Sequence, residues 1–73
     1  MMFSYTRHAL RRMRWRKISR EEVENTIQFP DNLEPSLKNR LNAYKAIGGR
    51  LLKVTYSRKD DLISVVTVVW KGE

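Results

Sequence analysis

The stretch LISVVTVVW, Leu62 to Trp70, decides the fold. Six of its nine residues branch at Cβ, and it is apolar on both faces, which predicts a central strand. Its partner precedes it. From Arg50 to Ser57 the chain alternates, with Leu52, Val54 and Tyr56 on one face and Leu51, Lys53, Thr55 and Ser57 on the other. Arg58 to Asp61 is a polar turn between the two. Leu41 to Ile47 reads as a third strand, and Gly48-Gly49 supplies the two positive-φ residues of a short hairpin. Pro30 to Arg40 carries Pro30, Asp31, Asn32, Pro35, Ser36 and Asn39, which is loop chemistry with an extended stretch around Leu33.

Two helices come before these strands. The first is predicted from Thr6 to Lys17, with the Thr6 hydroxyl as N-cap. Ala9, Leu10 and Met13 are expected to face the core, with His8, Arg11, Arg12, Trp15 and Arg16 on the opposite side and its flank. The second opens on Ser19-x-x-Glu22, a capping box framed by Ile18 and Val23 as a hydrophobic staple. Glu21 and Glu22 suit the positive end of its dipole, and Val23 and Ile27 give its apolar stripe. Pro30 disfavours helical geometry at Phe29, so the helix should end near Gln28. Met2 to Tyr5 is either a short lead-in strand or a cap. The expected fold is α+β: one domain over residues 1–73, with two N-terminal helices packed on a C-terminal antiparallel meander of three strands.

The 73 residues carry a formal net charge of +7, from 15 basic and 8 acidic side chains. The imbalance is local. Met1 to Arg20 holds seven basic residues and no acid, whereas Glu21 to Glu73 holds eight of each. A basic half-domain of this kind points to an anionic partner, a nucleic acid or an acidic protein, ahead of mere solvation. There are no cysteines, so neither disulfides nor a thiolate metal site is available, and the single histidine argues against zinc. No apolar run is long enough for a membrane span or resembles a signal peptide, and the expected location is cytoplasmic.

The pattern His8-Ala9-x-x-Arg12-Met13-x-x-Arg16-x-Ile18, followed by Val23 and Pro30-Asp31, resembles a family of small prokaryotic proteins, domain-of-unknown-function family four-two-five-eight. Leu51-x-Lys53-Val54 and Val65-Val66-Thr67-Val68 are similar to its two C-terminal strands. Members usually carry a small or glycine-like residue before the isoleucine, where this chain has Lys17. That family is in turn distantly similar to the RelE/ParE and BrnT toxins of bacterial toxin–antitoxin pairs, of which the RelE and BrnT types cut RNA. The resemblance implies a RelE-like domain, RNA as the target, an acidic antitoxin as partner, and no metal or organic cofactor.

His8, Arg12 and Arg16 stand at i, i+4 and i+8, on one slowly turning stripe of the helix. Cutting RNA through its 2′-hydroxyl needs a base, an acid and donors for the phosphate oxygens. Histidine serves as either acid or base near neutral pH, and arginine offers forked, permanently charged donors. These three are the candidate catalytic residues. Arg7, Arg11, Arg14, Trp15, Lys53 and Tyr56 are the candidate RNA contacts, with Thr67 as an alternative on the neighbouring strand. Each has a structural rival. His8 is better explained as a hydrogen-bond donor near a helix start and Trp15 as a cover on the core, while Arg12 is equally well explained as an ion-pair partner of Glu22 or Asp31. The leading expectation is a toxin-like RNA-binding protein or metal-independent endoribonuclease. Its rivals are a non-catalytic nucleic-acid-binding module and a module that binds an acidic protein.

Overall fold

In the computed structural model of this protein, which describes residues 1–72, Leu62–Trp70 lies inside a five-stranded sheet. The strands are β1 (Met2–Tyr5), β2 (Asn32–Pro35), β3 (Leu41–Ile47), β4 (Arg50–Lys59) and β5 (Leu62–Trp70), and the helices are α1 (Arg7–Arg16) and α2 (Arg20–Gln28). The strand order is β1-β5-β4-β3-β2. The fold is α+β, as expected, but the sheet is larger and mixed. The meander of β3, β4 and β5 gains a strand on each side. β1 pairs parallel to β5, from Met2 opposite Leu62 to Tyr5 opposite Val65.

The second addition is the extended stretch expected around Leu33, which the structure pairs into the sheet. Asn32–Pro35 pairs antiparallel to β3, with Asn32 opposite Tyr44 and Pro35 opposite Leu41. All four residues are exposed, so no apolar pattern betrays them. Polar hooks hold the strand instead: the Asp31 N–H donates to the Tyr44 carbonyl, Asp31 Oδ2 accepts from the Ala46 N–H, and the Tyr44 hydroxyl donates to Glu34 at 2.7 Å. Pro35 is tolerated because this is an edge strand.

A bulge sets which side of β5 faces inward. Thr55 lies opposite Thr67 and Tyr56 opposite Val65, which leaves Val66 as an extra residue. Ile63 and Val65 are buried before it, Val68 and Trp70 after it, while β4 keeps a single inward set of Leu52, Val54 and Tyr56. These side chains join Ala9, Met13, Ile18, Val23, Ile27 and Ala43 in one core between the sheet and the helices. Leu10, expected in that core, is 39% exposed. It stands about 100° round the helix from Ala9, which turns it toward solvent.

The helix ends follow the chemistry read from the chain. Thr6 accepts from the Ala9 N–H at 3.0 Å, and Ser19 and Glu22 complete their box at 3.1 and 2.9 Å. The Tyr5 hydroxyl donates to Glu24 at 2.6 Å, and the Arg20 guanidinium lies 4.8 Å from the centre of the Tyr5 ring, which ties β1 to α2. Burial, with help from Glu24, holds the Tyr5 phenol well above its ordinary pKa, so it remains a donor.

α1 closes with a left-handed residue at Lys17, φ 56°. The Ile18 N–H reaches back to the Met13 carbonyl and the Lys17 N–H to that of Arg14, and both Met13 and Ile18 are buried. This is a Schellman stop, in which glycine is the unstrained choice. The left-handed geometry costs a residue with a Cβ about 1–2 kcal/mol, and the greater freedom of unfolded glycine offsets part of that. Lys17→Gly is therefore expected to stabilise the fold by about 0.5–1 kcal/mol and raise the melting temperature by roughly 2–8 °C. An unchanged or lowered melting temperature would show that the geometry at Lys17 carries no strain.

Candidate functional site

Ala9 and Met13 fix how α1 is rotated, because both are buried against the sheet. Residues four apart on a helix drift by about 40°, so His8, Arg12 and Arg16 approach the core side step by step. His8 is exposed, whereas Arg12 and Arg16 are half-buried on the flank.

The sheet leaves room beside that flank. β1 ends at Tyr5, so β5 has no strand beside it on that side from Val66 onward. α1 runs along this stretch instead. At one end the Thr6 N–H donates to the Val65 carbonyl at 3.0 Å and the Thr6 hydroxyl to that of Val66 at 2.9 Å. At the other end the indole N–H of Trp70 reaches the Arg16 carbonyl at a long 3.5 Å. Arg50 stacks over the same indole, 4.2 Å from its centre.

Between the last turn of α1 and the end of β5 lies an open groove of about 300 Å³. Arg12 and Arg16 line it from the helix, Lys53 from β4, and Val69, Trp70, Lys71 and Gly72 from the end of β5. Lys53 is directly opposite Val69, on the sheet face turned away from the helices. Four cationic side chains thus surround one small space, and no carboxylate is among its described lining residues. A polyanion entering this space would meet several positive side chains at once. The carboxylates that the sequence offered to Arg12 are engaged elsewhere. Glu22 accepts from the Ser19 N–H in the capping box, and Asp31 accepts from the Ala46 N–H at β3.

The predicted site residues divide. Arg12, Arg16 and Lys53 meet in the groove. His8 does not line it and stands one turn further out on α1, on the groove side. Arg7, Arg11 and Arg14 are exposed on the helix surface. Trp15 is 74% exposed, with the Arg16 guanidinium 5.6 Å from its ring centre, so it is no cover on the core. Tyr56 is not brought to the site. It is 5% exposed and faces the helices, on the opposite side of β4 from Lys53. Burial raises its phenol pKa, with Arg58 pulling the other way. Thr67 is half-buried opposite Thr55, whose hydroxyl donates to Asn42 at 2.7 Å on that same outer face. Lys71 and Trp70 are groove residues that the sequence did not single out. The signal for Lys71 is its place two residues beyond the partner of Lys53, which only the bulge at Val66 reveals. Among the described residues no group of three histidine, aspartate or glutamate side chains is placed to hold a metal ion, and no helix is long and apolar enough to cross a membrane.

A family model described as "Domain of unknown function (DUF4258)" matches residues 5–70. The chain belongs to this family. The DUF4258 match includes both helices and the lining residues Arg12, Arg16, Lys53, Val69 and Trp70, and stops just before Lys71. No curated protein and no solved structure matches the chain. In this DUF4258 chain, His8-Ala9-x-x-Arg12-Met13 forms two adjacent stripes: Ala9 and Met13 hold the helix to the core, while Arg12 reaches the groove and His8 stands above it.

Proposed function

We propose that this protein binds RNA, with the phosphate chain seated among Arg12, Arg16, Lys53 and Lys71, as a toxin-like protein of a toxin–antitoxin pair. The convergence of four cations on one open groove carries this reading. The resemblance to RNA-cutting toxins favours RNA over DNA as the polymer. An acidic protein chain is the counterpart that covers the groove when RNA is absent, and the cytoplasm is where the two would meet.

A second reading, cleavage, rests on the position of His8. Its imidazole is exposed one turn before Arg12, on the groove side of α1. In that scheme the arginines hold the phosphate, and His8 takes the 2′-hydroxyl proton or returns one to the leaving 5′-oxygen.

One experiment addresses both. A labelled RNA of about twelve nucleotides is titrated with protein from 50 to 200 mM salt, and the same mixtures are run on a denaturing gel. Four phosphate contacts on a single strand predict a log–log slope near −2.8, so affinity should fall about 50-fold across that range. A change below about twofold would overturn the groove as a phosphate site. Cleavage that disappears with a 2′-deoxy substrate and in His8→Ala assigns the base; intact RNA throughout leaves binding alone.

A further inference from the structure

We infer that the site selects unpaired RNA, with Trp15 as the platform on which one base stacks while its phosphate lies in the groove. The inference rests on the groove being an RNA site and adds what that site distinguishes. Trp15 is the most exposed aromatic side chain among the described residues, in a domain that buries its other tryptophan to 6%. Leaving so large an apolar ring in water forgoes burial that a small domain can ill spare. The side chain next to it joins the ring to the groove. Arg16 lines the cavity, and its guanidinium also lies 5.6 Å from the Trp15 ring centre. On the helix Trp15 stands about 60° beyond Arg12, on the side away from the core. The order around α1 is thus Arg16, Arg12, His8 and Trp15, running from the two groove-lining arginines away from the core.

A cationic floor with an aromatic rim is what a single strand uses. Its phosphates lie among the cations, and its bases are free to turn outward and stack. A duplex keeps its bases stacked on one another and offers no open ring face to Trp15 along its length. The groove is also small. At about 300 Å³ it takes a short stretch of one backbone.

The test uses the two tryptophans as separate reporters. The full chain is titrated with an unstructured RNA of about twelve nucleotides and with the duplex of the same sequence, following both indole emission and the affinity of a labelled RNA. Binding of the single strand is expected to quench the exposed Trp15, and most of the quench should be lost in Trp15→Phe, which still stacks a base and leaves Trp70 as the one remaining indole. Trp15→Ala is expected to weaken single-strand binding between about 5-fold and about 100-fold without changing the salt slope. If RNA binds with the expected salt dependence but Trp15→Ala binds the single strand as tightly as the parent, stacking is wrong and the groove stands. Equal affinity for duplex and single strand has the same meaning. If neither RNA binds at 50 mM salt, the groove reading and this inference both fall.

Discussion

Arg12→Glu combined with Lys53→Glu is expected to lower RNA affinity by at least about 100-fold at 0.1 M salt. Each phosphate contact to a single strand contributes a factor of about 5 at that salt through counterion release, so removing two gives about 25-fold. Reversal goes further than removal, because two carboxylates now face the phosphates and the four groove cations are reduced to a net charge of zero. Neither side chain belongs to the core cluster, so the fold should survive, and circular dichroism with a thermal melt checks that. The control is Arg58→Glu with Lys59→Glu. Both are exposed at the β4–β5 turn, at the opposite end of β5 from the groove. This pair changes the net charge by the same amount and is expected to cost less than about 10-fold through the long-range field alone. Equal losses in the two double variants would mean that total charge, and not the groove, attracts RNA.

Trp70→Ala is expected to be strongly destabilising, by about 3–5 kcal/mol. The indole is 6% exposed, lies opposite Leu52 in the β4–β5 pair, and carries Arg50 on its face and the Arg16 carbonyl at its N–H. Truncating a buried tryptophan to alanine costs about 3–5 kcal/mol through lost burial and the cavity left behind. A domain of this length has a total stability of roughly 4–11 kcal/mol, so that loss removes at least about a quarter of the margin and all of it at the lower bound. Trp70→Phe keeps most of the ring volume and gives up only the long N–H contact, so its cost should be below about 2 kcal/mol. Denaturant unfolding followed by far-ultraviolet circular dichroism orders the three proteins. A Trp70→Ala midpoint close to that of the parent would mean that the end of β5 contributes little to the fold and that α1 is held by other contacts.

Much of the architecture was legible because local signals agreed with the global fold. Thr6, Ser19 and Glu22 announced both helix starts, and Gly48-Gly49 the first hairpin, where φ is +57° and +81°. The alternation of Leu52, Val54 and Tyr56 fixed the inward face of β4. What stayed hidden depends on partners far along the chain. The extended stretch around Leu33 was legible but its pairing with β3 was not, because it is held by Asp31 and by the Tyr44–Glu34 bond, neither of which a linear pattern reveals. The bulge at Val66 is equally silent in a run of valines. Counting back from the Asp60-Asp61 turn without it would place Lys53 opposite Val68 and move Lys71 out of register with the groove. The candidate site was half legible for the same reason. The 40° drift from His8 to Arg16 follows from helix geometry, but how far it carries each residue inward depends on Ala9 and Met13 being the true contact face. Tyr56 was miscast as a companion of Lys53 although strand parity places them on opposite sides.

The parallel pairing of β1 with β5 also bears on how the molecule is made. Tyr5 and Val65 are partners sixty positions apart. A ribosome therefore releases β1 and α1 well before the strand they dock on, whereas α2 also packs against β3 and β4, which emerge earlier. The cationic cleft needs both α1 and β5, so a nascent chain carries no formed groove until Trp70 has emerged.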